Sequence, residues 1–246
     1  MTTPILVTGG TGTLGRHVVP LLRAAGRNVR VLSRNPRDPE PGVEYVAGDL
    51  LAGTGLEVAT EGVETVLHLA GGPKDDDRAT QALMQAAAPA GVGHVVLISV
   101  IGSDTIPLGY FRAKAGAEQA VVESEIPHSI LRAAQFHDLT LMVAQKMGAM
   151  PVVPAPGGLR WQPVDSREVA ARLAELTLGH PAGRVADLAG PEVHTLADLT
   201  RSYLAARGKR RPFLPVRIPG KAGRAYRAGL NLNQSDAARG TRTWQQ

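Results

Sequence analysis

Short apolar runs alternate with segments of helical periodicity over the first 135 residues of the chain. The runs predict six strands, at Pro4–Thr8, Val29–Ser33, Glu44–Ala47, Val63–Leu69, His94–Ser99 and His128–Arg132. The intervening segments predict helices at Leu14–Ala25, Arg78–Ala90 and Ala113–Ser124. Short buried strands that alternate with helices are typical of a parallel sheet with both faces covered. The pattern therefore predicts an α/β fold with a Rossmann-type doubly wound parallel sheet.

The pattern changes after about Gly148. Met150–Gly158 is rich in proline and glycine and predicts a loop with short extended pieces. Beyond it the sequence predicts helices at Ser166–Leu178, Leu196–Ala206 and Gly220–Gly229, and a strand at Val185–Leu188. Because this part is too short and broken for a core of its own, we expect a Rossmann-type lobe at 1–148 and a small C-terminal cap at 149–246. We expect the two to pack as one structural domain, with the cap at the carboxyl ends of the strands, where such folds bind ligands.

A glycine-rich turn joins the first predicted strand to the first predicted helix, in the segment ILVTGGTGTLG. Gly9, Gly12 and Gly15 recur there at a spacing of three. Such glycines allow a tight turn, a close approach of the backbone to phosphates and close packing of helix on strand. The free N–H groups of the helix N-terminus then favour an anion. The segment predicts a site for a dinucleotide pyrophosphate, with contributions from the residues between the glycines, which are Thr11, Thr13 and Leu14.

The end of the second strand indicates which dinucleotide binds. An acidic residue there holds the ribose 2′-hydroxyl of NAD, whereas an arginine accommodates the 2′-phosphate of NADP. Here Ser33 and Arg34 stand in that place, so we predict NADP(H), although an ordinary exposed loop arginine is the alternative. Asp49 and Leu50 follow the third strand, where Asp49 either meets the adenine amine or caps the next turn. After the fourth strand, the small residues Ala70 and Gly71 let the backbone pass close to the cofactor.

A second group of residues predicts chemistry at the other end of the cofactor. Ser99 ends the fifth strand, and Tyr110 and Lys114 follow at helical spacing on one face. A phenol has an unperturbed pKa of about 10, and a neighbouring ammonium lowers that pKa and makes the phenol a better acid–base group. Lysine can also hold ribose hydroxyls, and a serine hydroxyl can polarise a carbonyl. The alternative is a helix with an N-terminal aromatic residue and an exposed lysine.

Composition and charge limit the kinds of ligand and partner that we expect this protein to bind. The chain has 246 residues, no cysteine and seven histidines without a close pair, so we predict neither disulfides nor a metal site. It shows neither a run of about 18 apolar residues nor a secretory signal, so we expect a cytoplasmic protein and no membrane partner. Ten Lys/Arg and one Asp beyond residue 206 give this tail a net charge of +9. Nucleic acid is the sharper explanation of that charge; we favour a solvated basic surface, because no aromatic stacking pattern accompanies it.

Together these segments resemble the atypical short-chain dehydrogenase/reductase superfamily, in its NmrA-like NAD(P)-binding branch. The matching segments are TGGTGTLG at 8–15, LSRNP at 32–36, GDL at 48–50, HLAG at 68–71, ISVIG at 98–102, YFRAK at 110–114 and LRAAQFHD at 131–138. The resemblance implies that Ser99, Tyr110 and Lys114 occupy the catalytic positions. It also implies that Ala134, Gln135 and Phe136 flank the nicotinamide.

The leading hypothesis is an NADPH-dependent oxidoreductase that reduces a small, largely apolar carbonyl or quinone compound. Its substrate would lie against Ser99, Tyr110, His137, Met142 and Trp161, where His137 is an alternative proton donor or a structural histidine, and Met142 lines the pocket or packs in the core. One alternative is an NmrA-like regulator that senses NADP(H) without turnover. The other is a nucleotide-sugar epimerase or dehydratase. The sequence predicts neither the substrate nor the oligomeric state.

Overall fold

The structure, a computed structural model, describes residues 3–35, 37–233 and 238–246. Its strands are β1 (Ile5–Thr8), β2 (Val29–Ser33), β3 (Val43–Ala47), β4 (Thr65–His68), β5 (His94–Val100), β6 (His128–Ala133), β7 (Val153–Pro156), β8 (Arg160–Trp161), β9 (Gly183–Arg184), β10 (His194–Thr195) and β11 (Phe213–Val216). Its helices are α1 (Gly15–Ala24), α2 (Leu56–Thr60), α3 (Asp76–Ala87), α4 (Gly109–Glu123), α5 (His137–Gly148), α6 (Ser166–Leu178), α7 (Leu196–Ala206) and α8 (Gly220–Arg227).

Seven strands form one sheet in the order β3-β2-β1-β4-β5-β6-β9. The pairings of β1 with β2 and β4, of β2 with β3, of β4 with β5 and of β6 with β9 are parallel. Because the chain runs outward from β1 to β3 and then returns to β4, the order reverses between β1 and β4. Open sheets of this kind bind ligands outside the carboxyl ends of the strands at such a reversal.

The described chain forms two compact units that are interleaved along the sequence. The first comprises residues up to 99, 112–131 and 167–185, and the second comprises 100–111, 132–166 and the residues from 186 onward. The first contains almost the whole sheet, whose apolar cluster includes Leu6, Val66, Leu83, Val95 and Val121. The second has its own apolar clusters, one around Val153, Leu199 and Leu204 and one around Ile106 and Phe111. The predicted boundary at residue 148 stays a prediction.

The predicted fold class is confirmed. Helices α6 and α7 and strand β2 begin and end at the predicted residues, whereas the bounds of α1, α3 and β4 differ from the prediction by one to three residues. Helix α4 begins at Gly109, four residues earlier than predicted, so that Tyr110 lies in its first turn. Helices α2 and α5 and the short strands β8, β10 and β11 were not predicted from the sequence.

The strand predicted at Val185–Leu188 is wrong, because β9 ends at Arg184. The N–H of Val185 still donates to the carbonyl of Ile130, and the N–H of Leu188 donates to that of Arg132. Between these two hydrogen bonds the segment advances by three residues, whereas β6 advances by two. The extra residue interrupts the ladder as a bulge does.

None of the helices within residues 3–35, 37–233 and 238–246 combines the length and apolar character needed to traverse a bilayer.

Candidate cofactor and active site

The glycine-rich turn after β1 uses each glycine differently. Gly9 has a φ of +68°, and a Cβ built on it would lie 2.7 Å from the backbone nitrogen of Ala70. A Cβ on Gly15 would overlap the backbone of Gly10, so the start of α1 can pack against the turn only without a side chain. A Cβ on Gly12 would meet only the carbonyl oxygen of Gly9, at 3.2 Å. Gly12 therefore faces an open side of the turn, as the neighbouring exposed Thr11 does.

Gly10 is a residue that the spacing of three did not single out. It is buried, and a Cβ on it would lie 2.8 Å from Cγ1 of Val31 on β2. The turn thus lies directly on the neighbouring strand. The signal in the sequence was the glycine doublet at 9–10, whose second member has a packing role. Of the other loop residues, Thr13 is half-buried and Leu14 is buried at the start of α1.

The loops after β2 and β3 meet at the same edge of the sheet. Gly48 donates its N–H to the carbonyl of Ser33, and the Ser33 hydroxyl donates to the carbonyl of Asn35 at 2.8 Å. Arg34 is exposed and has no hydrogen bond or ion pair with any residue that the structure describes. Its guanidinium therefore carries five uncommitted N–H donors beside the turn.

Asp49 caps the turn that follows β3. Its Oδ1 accepts from the N–H groups of Leu51 and Ala52, at 2.8 and 3.1 Å. The capping alternative from the sequence thus accounts for Oδ1, and contact with an adenine amine stays a prediction for Oδ2. Leu50, half-buried, packs against the apolar cluster of the first unit.

A buried chain of hydrogen bonds lies under the loop after β4 and is centred on His68. Thr80 donates its hydroxyl to the carbonyl of Asp76 at 2.7 Å, so it accepts from Nε2–H of His68 at 2.9 Å. Nδ1 of His68 must then accept from the Thr8 hydroxyl, at 2.6 Å, and the Thr8 oxygen accepts from the N–H of Ala70. Burial, together with the charge of Lys114, lowers the pKa of His68 to about 3. The imidazole is therefore neutral, with one defined tautomer.

Asp76 joins this chain to Lys114. Its Oδ2 lies 2.8 Å from Nζ of Lys114, and both side chains are almost fully buried. Its Oδ1 accepts from the N–H of Gly72 at 2.6 Å. A Cβ on Gly71 would lie 2.7 Å from the same Nζ, so any side chain at residue 71 would require the ammonium to shift. Asp76 is a residue that the sequence analysis missed, since three consecutive aspartates at 75–77 look like a solvated helix start.

Ser99 is also held by an acidic residue that the sequence analysis missed. It is buried, and its hydroxyl donates to a carboxylate oxygen of Glu118, one turn beyond Lys114 on α4. While its hydroxyl donates to Glu118, Ser99 can accept a hydrogen bond from another group. Its predicted role in polarising a substrate carbonyl stays a prediction and requires the hydroxyl to turn from Glu118 to the substrate. Tyr110, in the first turn of α4, is 39% exposed, and its ring meets that of Phe111 edge-on.

The remaining predicted residues lie in the second unit. The segment after β6 bridges to Val164, and the side-chain Oε1 of Gln135 is buried with no hydrogen-bond partner among the described residues. Ala134 is buried and Phe136 half-buried beside it. Trp161, on β8, packs into the apolar cluster around Val153. Met142, on α5, is 43% exposed, so the core alternative does not hold for it.

His137 is the first residue of α5, and one of its two ring nitrogens is hydrogen-bonded to the backbone. Its Nε2 lies 3.2 Å from the carbonyl oxygen of Pro163, and its ring lies edge-on to Trp244 at 5.9 Å. Because a carbonyl can only accept, Nε2 carries a proton and donates it there. In the neutral ring, Nδ1 is then an acceptor. This contact favours the structural alternative for His137 over the proton donor.

The loops after β1, β2, β3 and β4 thus meet at one edge of a parallel sheet, beside the reversal in strand order. A glycine turn at a helix N-terminus and an uncommitted arginine at the next strand end complete this edge. These features define the class of Rossmann-type proteins that bind a nicotinamide dinucleotide.

The comparisons with known proteins agree with this class. Residues 9–174 match the family model described as NAD(P)H-binding, and the chain belongs to that family. The chain is 34% identical over 212 residues to the (4-alkanoyl-5-oxo-2,5-dihydrofuran-3-yl)methyl phosphate reductase of Streptomyces griseus, a match that covers 83% of this chain and 74% of the relative. It is 30% identical over 240 residues to the NAD(P)H azoreductase of Xenophilus azovorans, with 94% and 82% covered. The NADPH-dependent quinone oxidoreductase of Escherichia coli, solved with NADPH, has the same fold, with a TM-score of 0.79, 23% identity and coverage of 94% and 92%.

The different surroundings of Gly12 and Gly15 lead to a first prediction. Gly12→Ala keeps the fold, because its Cβ meets only the carbonyl oxygen of Gly9, at 3.2 Å, which a small shift of the turn relieves. It weakens NADPH binding by about tenfold or more, since the methyl group lies where phosphates approach the backbone. Gly15→Ala lowers the free energy of unfolding itself, because its Cβ overlaps the turn. Urea unfolding and fluorescence titration with NADPH separate the two effects. Equal destabilisation by both substitutions would contradict these roles.

The neutral His68 predicts a dependence of stability on pH. The unfolded chain binds a proton on this histidine near pH 6.5, whereas the folded protein binds it only near pH 3. The stabilisation is therefore complete above about pH 6.5 and is lost as the pH falls towards 3, by about 1–2 kcal/mol between pH 6.5 and 5. Urea unfolding of His68→Gln should show this part of the pH dependence removed.

His17→Gln on α1 is the matched control, because no side-chain hydrogen bond or ion pair joins His17 to any residue that the structure describes, and its pH dependence should equal that of the original protein. If His68→Gln kept the full loss of stability between pH 6.5 and 5, the assignment of the buried neutral imidazole would be wrong.

Proposed function

We propose that this protein is an NADPH-dependent oxidoreductase that reduces a small, largely apolar carbonyl or quinone compound. Two relatives that are 30–34% identical over 83% and 94% of the chain are named reductases, which supports the reaction class. The observation that carries the proposal is the buried pair of Asp76 and Lys114, which holds an ammonium over Gly71 at the cofactor edge of the sheet. When bound, the nicotinamide supplies the hydride.

Lys114 can serve the cofactor while it remains paired. An ammonium has three N–H donors, and its ion pair with Asp76 at 2.8 Å is made to one carboxylate oxygen only. The ammonium can therefore also donate to ribose hydroxyls next to the Ala70–Gly72 loop. Burial of the pair removes competing water, and Asp76 also fixes the loop through the N–H of Gly72. We propose that this double contact places loop and ammonium together.

Tyr110 is the proton donor in this proposal. It lies one helical turn before Lys114 on α4, and helical spacing puts residues four apart on one face. Its side chain is 39% exposed, so a small molecule can reach it, and a nearby ammonium makes a phenol a better acid–base group. The hydroxyl of Ser99, by contrast, donates to Glu118. Ser99 then acts as an acceptor and positions Glu118 and α4. Gln135 contributes a buried acceptor oxygen that fits an N–H donor of a ligand.

The substrate class rests on the second unit and on the relatives. Met142 presents an exposed apolar side chain, and we propose that it and Trp161 contact the apolar part of the substrate. We expect a small molecule rather than nucleic acid as the reacting partner. The lack of cysteine fits a reducing, cytoplasmic setting.

The position of Arg34 predicts a preference for NADPH over NADH. Arg34→Ala should weaken NADPH binding by about 10- to 100-fold, the usual effect of losing a charge-assisted hydrogen bond to phosphate, and leave NADH binding unchanged. Parallel fluorescence titrations with the two cofactors measure the effect. The control is Arg37→Ala, which removes a neighbouring arginine whose guanidinium lies over the ring of Tyr45. Tighter binding of NADH than of NADPH by the unchanged protein would refute the preference.

The proposed role of Tyr110 as proton donor predicts that its hydroxyl is needed for the chemical step. Tyr110→Phe should lower kcat by about 10² or more while the Kd for NADPH stays the same, because only proton delivery is lost. The assay follows NADPH absorbance with a panel of quinones, enones and ketones. Tyr45→Phe, which removes a hydroxyl bonded to Glu40, should keep the full rate. Tight NADPH binding without turnover of any compound would favour the regulator, and co-purification with NAD would favour the epimerase.

A further inference from the structure

The second unit contains a strongly basic segment that the proposed reaction does not use. Residues 207–227 include eight Lys/Arg and no Asp or Glu. Seven of the eight cations are exposed, and none of these seven lies within ion-pair distance of a carboxylate in the described part of the chain: Arg207, Lys209, Arg210, Arg211, Arg217, Lys221 and Arg224. The segment is therefore a concentrated, unneutralised positive surface.

Strand β11 lies in the middle of this basic segment and has two different sides. Phe213 points inward, where it packs in the apolar cluster around Val153 and lies under the guanidinium of Arg201. Leu214 is 58% and Val216 37% exposed, and residues two apart on a strand point to the same side. One edge of β11 pairs with β7. Its outer side thus presents two aliphatic side chains to water.

Basic grooves flank these aliphatic residues at both ends of β11. Before the strand, a groove of about 560 Å³ is lined by Arg201 and by the cations at 209–211. After it, a groove of about 380 Å³ is lined by Arg217, Arg224 and Arg227. An apolar centre between cationic rims is the pattern of surfaces that lie on anionic bilayers, where aliphatic tips enter the headgroup boundary and cations contact phosphates.

We propose that this basic–apolar face, formed by the outer side of β11 and the exposed cations at 209–211, 217 and 221, docks on an anionic lipid bilayer. Charge complementarity supplies the attraction, and Leu214 with Val216 supplies the apolar contact. Single-stranded nucleic acid is the poorer partner, because its binding uses free aromatic faces on which the bases stack. The aromatic rings of the segment, Phe213 and Tyr226, pack into the apolar clusters of the second unit. The proposal is independent of the reductase reaction.

The test is co-sedimentation of the full chain with lipid vesicles. We expect binding to vesicles of 70% phosphatidylcholine and 30% phosphatidylglycerol at low salt. We expect little binding to pure phosphatidylcholine, and release at about 0.5 M KCl, where the Debye length falls to a few ångströms. Absence of binding to the anionic vesicles at low salt would overturn the proposal.

Substitutions locate the surface. Arg211→Gln combined with Arg217→Gln should weaken vesicle binding about tenfold or more, and Leu214→Ser should weaken it without any change of charge. Arg23→Gln combined with Lys146→Gln removes two exposed cations elsewhere and should leave binding unchanged. NADPH binding and urea unfolding verify that each variant is folded.

Two outcomes would reject this surface. One is equal weakening by the control pair and by the Arg211 and Arg217 pair, which would show general charge attraction only. The other is tighter binding to a labelled 20-nucleotide single strand than to the vesicles, lost in the same Arg211 and Arg217 variant. That result would assign the basic surface to nucleic acid instead.

Discussion

The candidate site of the first unit depends on the hydrogen bonds of one buried imidazole, that of His68. It accepts from Thr8 at the end of β1 and donates to Thr80 on α3, so one neutral ring joins neighbouring elements at the reversal of strand order. Thr80 continues the chain to the backbone of Asp76. Because both ring nitrogens of His68 and the Thr8 hydroxyl are hydrogen-bonded, this network links the loop after β4 to β1 and α3.

The same hydrogen-bond network continues to charged groups nearby. Asp76 divides its two oxygens between the loop and Lys114, and it thereby holds an ammonium that would otherwise be costly to bury. Glu118, one turn further along α4, accepts a hydrogen bond from the Ser99 hydroxyl. The predicted lysine and serine are therefore each held by a carboxylate. Tyr110, the third residue predicted to be catalytic, lies in the first turn of α4 and is 39% exposed.

The local sequence predicted those parts of the fold and site that depend on short-range patterns. Helices α6 and α7 have a clear apolar period and were predicted to the residue, whereas α5 was not assigned at all. The glycine turn was visible because backbone conformation demands glycine there, as the φ of Gly9 shows. Asp76 and Glu118 were not found, because their partners lie 38 and 19 positions away and no local pattern marks a buried carboxylate.

By itself, the sequence determined the class of fold, the dinucleotide turn and the place of the candidate catalytic residues along the chain. These follow from periodicity, from glycine and from spacing on a helix, all of which act over a few residues. Only the tertiary structure decided which hydroxyls and charged groups are paired with other side chains of the protein. Two strands and a helix that are distant in the sequence bring Thr8, His68 and Lys114 together in a buried polar region, and buried polar groups are generally paired.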